Sequence, residues 1–251
     1  MSKLYFPQRV AEPKKMTKLE LELFEKKSKE NYKHWLISFV DDALEKSELK
    51  KGKILDIGCG SGLLVKEFAY RSKKFYVMGI DTSLHALRLA KKNCQKLKNS
   101  FFKKTSVYHL PFSNYTFDLV TCKDTLHHFN DLKSAIKEMY RVTKKGGMIY
   151  LQDLRRNMPW YLLKMVIPPQ NNFQKLQYYS ARAAYTKKEL ISVFNVLNIK
   201  NYIITTRQLR KKLRKRYKAL GGDLEKIKEA FQARYVAVIK KKNVSAHLTK
   251  Y

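Results

Sequence analysis

Two groups of residues in this chain have types and spacings suited to chemistry. The first is Gly58, Gly60 and Gly62, at alternate positions after the apolar run Ile54-Leu55-Asp56-Ile57, with Asp81 nineteen residues beyond the last glycine. A strand ending in such a turn brings backbone free of side chains against a ligand. Asp81 closes a second apolar run, Val77-Met78-Gly79-Ile80, and an acid there can accept both hydroxyls of a ribose. Taken alone, Asp81 would equally well start the next helix with Thr82 and Ser83. Beside the glycines, the ribose role is favoured. The dinucleotide fingerprint G-x-G-x-x-G does not fit, because the third glycine falls one residue early and Leu63 holds the final position.

The second group is His127, His128 and Asp153. Either histidine can act as a general base near neutral pH, and Asp153 lies one residue past a strand-like run. The plainer alternative has one imidazole packed on the following helix and the other bonded to backbone. Arg155 and Arg156, which follow, either bind an anionic acceptor or stand in solvent. Cys122 reads as a small buried thiol at a strand end, because no Pro-Cys pair accompanies it. No Asn-Pro-Pro-aromatic run follows it either.

The elements that must hold these residues are legible from periodicity. Apolar runs at 53–57, 75–80, 101–105, 117–122, 147–152, 201–206 and 234–240 alternate with amphipathic segments. That alternation predicts a mostly parallel sheet with helices on both faces. Asp131 is placed to cap a helix carrying Leu132, Ala135, Ile136, Met139 and Tyr140, which should stop before Gly146-Gly147. Thr186 and Glu189 form a capping box, as do Thr17 and Glu20. Tyr32, Trp35, Leu36, Phe39, Val40, Ala43 and Leu44 recur at helical spacing before the first strand. We therefore divide the chain into an N-terminal helical segment, 1–50, and a main domain, 51–251. Within the domain, the Pro- and aromatic-rich stretch 154–185 is expected to form a lid or acceptor region. Residues 207–232 are expected to form a basic helical hairpin inserted before the last strand.

Composition narrows the class further. The 251 residues are 44% hydrophobic, enough for a sizeable core, and no run approaches the length of a membrane span. Charged residues stand where a signal peptide would be apolar, which points to the cytoplasm. Three widely spaced cysteines argue against disulfides or a zinc site. The net charge of +32, with 15 Lys and Arg against three acids in residues 207–251, suits a polyanionic partner. A lysine-rich composition without any such partner explains the excess equally well.

In chain order, the glycine turn and Asp81 are followed by Leu110-Pro111-Phe112, Phe117-Asp118-Leu119-Val120, Leu126-His127-His128 and Arg141-Val142-Thr143-Lys144-Lys145-Gly146-Gly147. With these motifs, residues 50–155 resemble a class I S-adenosylmethionine-dependent methyltransferase of the small-molecule type. The resemblance implies a Rossmann-like, seven-stranded sheet whose last strand is antiparallel. It also implies S-adenosylmethionine as the cofactor. Asp56, Cys59 and the Gly58, Gly60 and Gly62 backbone would border its methionine part. Asp81 would hold the ribose, and Thr82 would lie beside the adenine. Ser106 and Val107 occupy the place of an Asp and a small residue that contact the adenine in the family. Ser106 departs from that pattern, and a hydroxyl there is expected to bind more weakly than a carboxylate. Lys123 would sit near the methionine end. The resemblance specifies the cofactor and leaves the methyl acceptor open.

Three functions are compatible with these residues. The first is methylation of a small molecule or metabolite, with His127, His128 and Asp153 at the acceptor. The second is RNA methylation, with the basic stretch 207–218 tracking phosphates. The third is a cofactor-binding protein without transfer, to which Ser106 lends slight support. The sequence favours the first.

Overall fold

The computed structural model describes residues 9–12, 22–23, 25–26, 29–30, 36–156, 172–207 and 234–242. The Thr17 capping box, Tyr32, Trp35, residues 208–232 of the hairpin and residues 157–171 of the 154–185 region lie outside the described residues.

Seven strands form one sheet: β1 (Gly52–Ile57), β2 (Phe75–Asp81), β3 (Ser100–Lys104), β4 (Phe117–Lys123), β5 (Thr143–Leu154), β6 (Tyr202–Arg207) and β7 (Arg234–Lys240). Their spatial order is β3-β2-β1-β4-β5-β7-β6. The first five pair in parallel, whereas β7 runs antiparallel to both β5 and β6. The expected Rossmann-like architecture with an antiparallel last strand is the one observed. Strand order reverses at β1, whose neighbours are β2 and β4, and in open α/β sheets ligands bind at the carboxyl ends of strands at such a switch.

Helices pack on both faces: α1 (Ser38–Ser47), α2 (Leu63–Arg71), α3 (Leu84–Cys94), α4 (Leu132–Val142), α5 (Asn172–Ala183) and α6 (Lys187–Val196). Alternation along the strands sends Ile54, Leu119, Met148 and Tyr150 to a core shared with Phe39, Val65 and Phe68. Leu55, Ile57, Val120, Ile149 and Leu151 face the opposite core, with Ile136, Met139, Leu190 and Phe194. Phe39 meets Tyr150 edge-on at 4.8 Å, with both rings fully buried. Burying an aromatic of this size stabilises by about 1.5–3 kcal/mol.

Local chemistry sets the helix ends. The Asp131 carboxylate accepts from Ser134 N at 2.9 Å and starts α4. Thr186 and Glu189 form the reciprocal capping box that starts α6. After α4 the chain enters β5 at once, four residues earlier than the apolar run suggests. Gly146, at φ 78°, makes this possible, because the left-handed turn absorbs an irregularity in the β4–β5 register. A Cβ at Gly147 would stand 2.8 Å from the Asp118 carbonyl oxygen. No helix among the described residues is long and apolar enough to cross a membrane.

Candidate active site

The glycine turn leaves the carboxyl end of β1, the central strand of the parallel part of the sheet. Gly60 has φ 53°, and a Cβ built on it would meet nothing within 4 Å. The chain here borders open space, which a side chain would enter. Gly60 N donates to Asp81 Oδ2 at 3.0 Å, and Ser83 N donates to Asp81 Oδ1 at 2.8 Å. The residue that caps α3 is Ser83, whose hydroxyl accepts from Ala86 N at 3.2 Å. Asp81 therefore braces the glycine turn instead of serving as the cap. Each of its carboxylate oxygens keeps acceptor capacity beyond one backbone bond. Thr82 beside it is exposed.

Thr105 N donates to the Asp81 carbonyl at 3.1 Å, which sets Ser106 and Val107 next to this end of β2. Ser106 is half-buried, with its hydroxyl accepting from Tyr108 N at 3.3 Å, while Val107 is buried in the core. The Cys59 thiol is buried as well. A Cβ on Gly79 would stand 2.9 Å from that sulfur, and the thiol donates to the Gly60 carbonyl at 3.9 Å, so it packs between β2 and the turn. Lys123, at the end of β4, pairs with Asp124, which also pairs with Arg234.

Asp56 lies beneath the turn, 1% exposed, with Thr121 Oγ1 donating to its carboxylate at 2.8 Å. Burial pushes its carboxyl up to about 7 from an ordinary 3.8. The Thr121 bond and the Lys123 charge pull the other way, and Asp81 adds to the rise. A carboxyl raised on folding keeps its proton in the native state while the unfolded chain loses it. The stability it permits is full below about pH 4 and declines as pH rises through 7. Melting wild type and Asp56→Asn from pH 4 to 8 is expected to show wild type losing ground to the variant through that window. A difference independent of pH would contradict the assignment.

His127 and His128 stand in a 3-10 turn, Leu126–His128, just beyond β4. Asp153, fully buried near the end of β5, holds His127 twice: Oδ1 lies 2.7 Å from Nδ1 and Oδ2 accepts from His127 N at 3.1 Å. Burial favours a neutral imidazole, but the charge and hydrogen bond of Asp153, with Glu12 adding to them, outweigh it and raise His127. Burial likewise works against the Asp153 anion, yet His127 and the Leu154 and His127 N–H groups hold its carboxyl low. Glu12 completes the cluster, 3.8 Å from His127 Nε2 and 2.7 Å from His128 Nδ1. Burial pushes Glu12 up, and bonds and charges from His128, His127 and Ser180 bring it below its ordinary value.

Glu12 and its companion Arg9 carry no sequence signal, since they precede the histidines by more than a hundred residues and belong to no motif. Arg9 donates to the His127 carbonyl and to the Ala183 carbonyl, each at 2.7 Å, and lies 4.5 Å over the Tyr185 ring. Residues 9–12 thus tie the histidine turn to the end of α5. Arg155 and Arg156 are both buried, and Arg156 pairs with Glu189 at 2.5 Å, so neither is solvated. Cys122 is fully buried, and burial and the Asp153 and Asp56 charges push its thiol well above the usual range, which suits packing and not nucleophilic attack.

Residues 55–151 match a family described as a methyltransferase domain. A ubiquinone biosynthesis O-methyltransferase of Vibrio cholerae is 32% identical over 126 residues, covering 49% of this chain and 51% of the relative. An uncharacterized methyltransferase of Schizosaccharomyces pombe is 34% identical over 112 residues, covering 41% and 40%. The chain spans about half the length of the relatives it matches. A putative S-adenosyl-L-methionine-dependent methyltransferase from Methanococcus maripaludis superposes with a TM-score of 0.68 at 17% identity, covering 95% of this chain and 100% of that one. The plantazolicin methyltransferase BpumL, solved with S-adenosylhomocysteine, gives 0.64 at 17% identity, covering 90% of each. At these identities the structures share the fold.

Proposed function

We propose that this chain, whose residues 55–151 match a methyltransferase domain, is a class I S-adenosylmethionine-dependent methyltransferase that methylates a hydroxyl of a small molecule. The observation that carries this reading is the convergence of two polar groups on the carboxyl ends of β1, β2, β4 and β5. The first is the Gly60–Asp81 pair beside open space, and the second is the Asp153–His127 pair beside His128. The O-methyltransferase names of the relatives support the choice of oxygen. When bound, S-adenosylmethionine supplies an electrophilic methyl group on a sulfonium centre.

The residues present suit that cofactor. Gly60 leaves room where a side chain would intrude, and Asp81 retains acceptor capacity for two hydroxyls. Ser106 and Thr82 border the far end, where the adenine belongs. At the acceptor end, the histidine pair activates the hydroxyl, and Asp153 fixes the His127 ring so that Nε2 faces the cluster. Residues 9–12 and α5 cover this end and limit water there. A cytoplasmic location and the division into 1–50 and 51–251 belong to the same proposal.

Ser106→Asp is expected to tighten cofactor binding about tenfold, because a charged acceptor adds roughly 1.5 kcal/mol over a neutral one. Calorimetric titration of both proteins checks this, and unchanged affinity would remove Ser106 from the site. The reading as a whole is tested by transfer of a labelled methyl group to small acceptors. Firm cofactor binding without transfer to any acceptor would overturn it.

A further inference from the structure

We propose that Glu12, His127 and His128 form a binding site for a divalent transition-metal cation, one that activates the acceptor hydroxyl. The inference rests on the methyl-transfer reading above and assigns the chemistry of its acceptor end. One ligand atom from each of the three residues lies within 4.8 Å of the others. A metal with bonds of about 2.0–2.2 Å holds neighbouring ligand atoms roughly 3–3.5 Å apart. Glu12 Oε1 lies 3.8 Å from His127 Nε2 and Oε2 lies 2.7 Å from His128 Nδ1, so the carboxylate faces both imidazoles. Binding requires the Glu12 carboxylate and the exposed His128 ring to turn so that one oxygen and both nitrogens reach that spacing.

Asp153 provides the second, independent observation. By accepting from His127 Nδ1 at 2.7 Å and from its backbone N–H, it fixes the tautomer and aims the Nε2 lone pair at Glu12. Metal-binding histidines are oriented by a carboxylate in this way. Ser180 donates to Glu12 at 2.5 Å and orients the third ligand as well. Two imidazoles and one carboxylate select zinc, iron, cobalt or manganese over magnesium and calcium, and three protein ligands leave positions open. The open positions suit an acceptor oxygen. A hydroxyl bound to a divalent cation gives its proton to solvent near neutral pH. Its oxygen then contributes the electron pair that bonds the methyl carbon, while the carbon–sulfur pair remains on sulfur as a neutral thioether.

Background binding of cations is weak on a chain of net charge +32. The test is therefore clean. Chelator-treated protein is titrated with Co²⁺ while visible absorption is recorded, and cofactor binding is measured by calorimetry on the same sample. Wild type is expected to develop ligand-field bands at one equivalent. Glu12→Gln and His128→Ala are expected to lose at least tenfold in affinity, and Asp153→Asn about 10- to 100-fold. Both ligand substitutions are at positions tolerant of change, since one is isosteric and the other is 32% exposed. Absence of new bands in wild type, or equal Co²⁺ affinity in wild type and both ligand variants, would overturn the metal site while cofactor binding persists. Loss of cofactor binding in wild type would instead overturn the reading on which it rests.

Discussion

Asp81→Ala is expected to weaken S-adenosylmethionine binding by about 100-fold or more, with only a modest loss of stability. Hydrogen bonds from two hydroxyls to a carboxylate contribute about 1.5–3 kcal/mol each, and 3 kcal/mol corresponds to roughly 100-fold in affinity. The substitution also strips the acceptors from Gly60 N and Ser83 N, so the turn loses its brace together with the ligand. Both groups are near solvent, which keeps the cost to folding small. Asp81→Asn retains one carbonyl acceptor and is expected to fall between the two. Calorimetry on the three proteins separates the effects, and affinity unchanged in Asp81→Ala would remove the ribose role.

The second large effect is expected at Asp153. Its carboxylate, fully buried, accepts from His127 Nδ1, His127 N and Leu154 N. Asp153→Ala leaves these donors buried without a partner and is expected to cost about 3–5 kcal/mol. In a domain of this size that lowers the melting temperature by roughly 10 °C. Asp153→Asn keeps the shape and one acceptor, so most of the stability should remain. Its amide, however, cannot impose the same tautomer on His127, and kcat is expected to fall at least about tenfold with KM little changed. Parallel loss of stability and turnover in both variants would reduce Asp153 to a structural role.

The sheet was legible because its strands are short apolar runs separated by helices with clear caps, so that periodicity and capping chemistry agreed. Asp131 and Thr186 fixed helix starts from side-chain chemistry alone. The early start of β5 was hidden because Thr143, Lys144 and Lys145 are polar, and only the turn at Gly146 makes the strand continuous. Asp81 and the glycines could be paired from spacing, since consecutive parallel strands place their carboxyl ends side by side. The His127–Asp153 contact has a similar origin, because β4 and β5 are neighbours. Glu12 could not be found in this way. It reaches the histidines through a tertiary contact of an N-terminal segment that has no periodic pattern. The burial of Arg156 was equally hidden, since it depends on the pairing with Glu189 at the start of α6.

The glycine turn with Asp81 is expected to bind S-adenosylmethionine for transfer to a small molecule. This is tested most directly by incubating wild type and Asp81→Ala with methyl-labelled S-adenosylmethionine and a cell extract fractionated into RNA, protein and small molecules. We predict label in the small-molecule fraction with wild type and its loss with the variant. Label confined to RNA or protein, or firm cofactor binding with no labelled product in any fraction, would contradict the account.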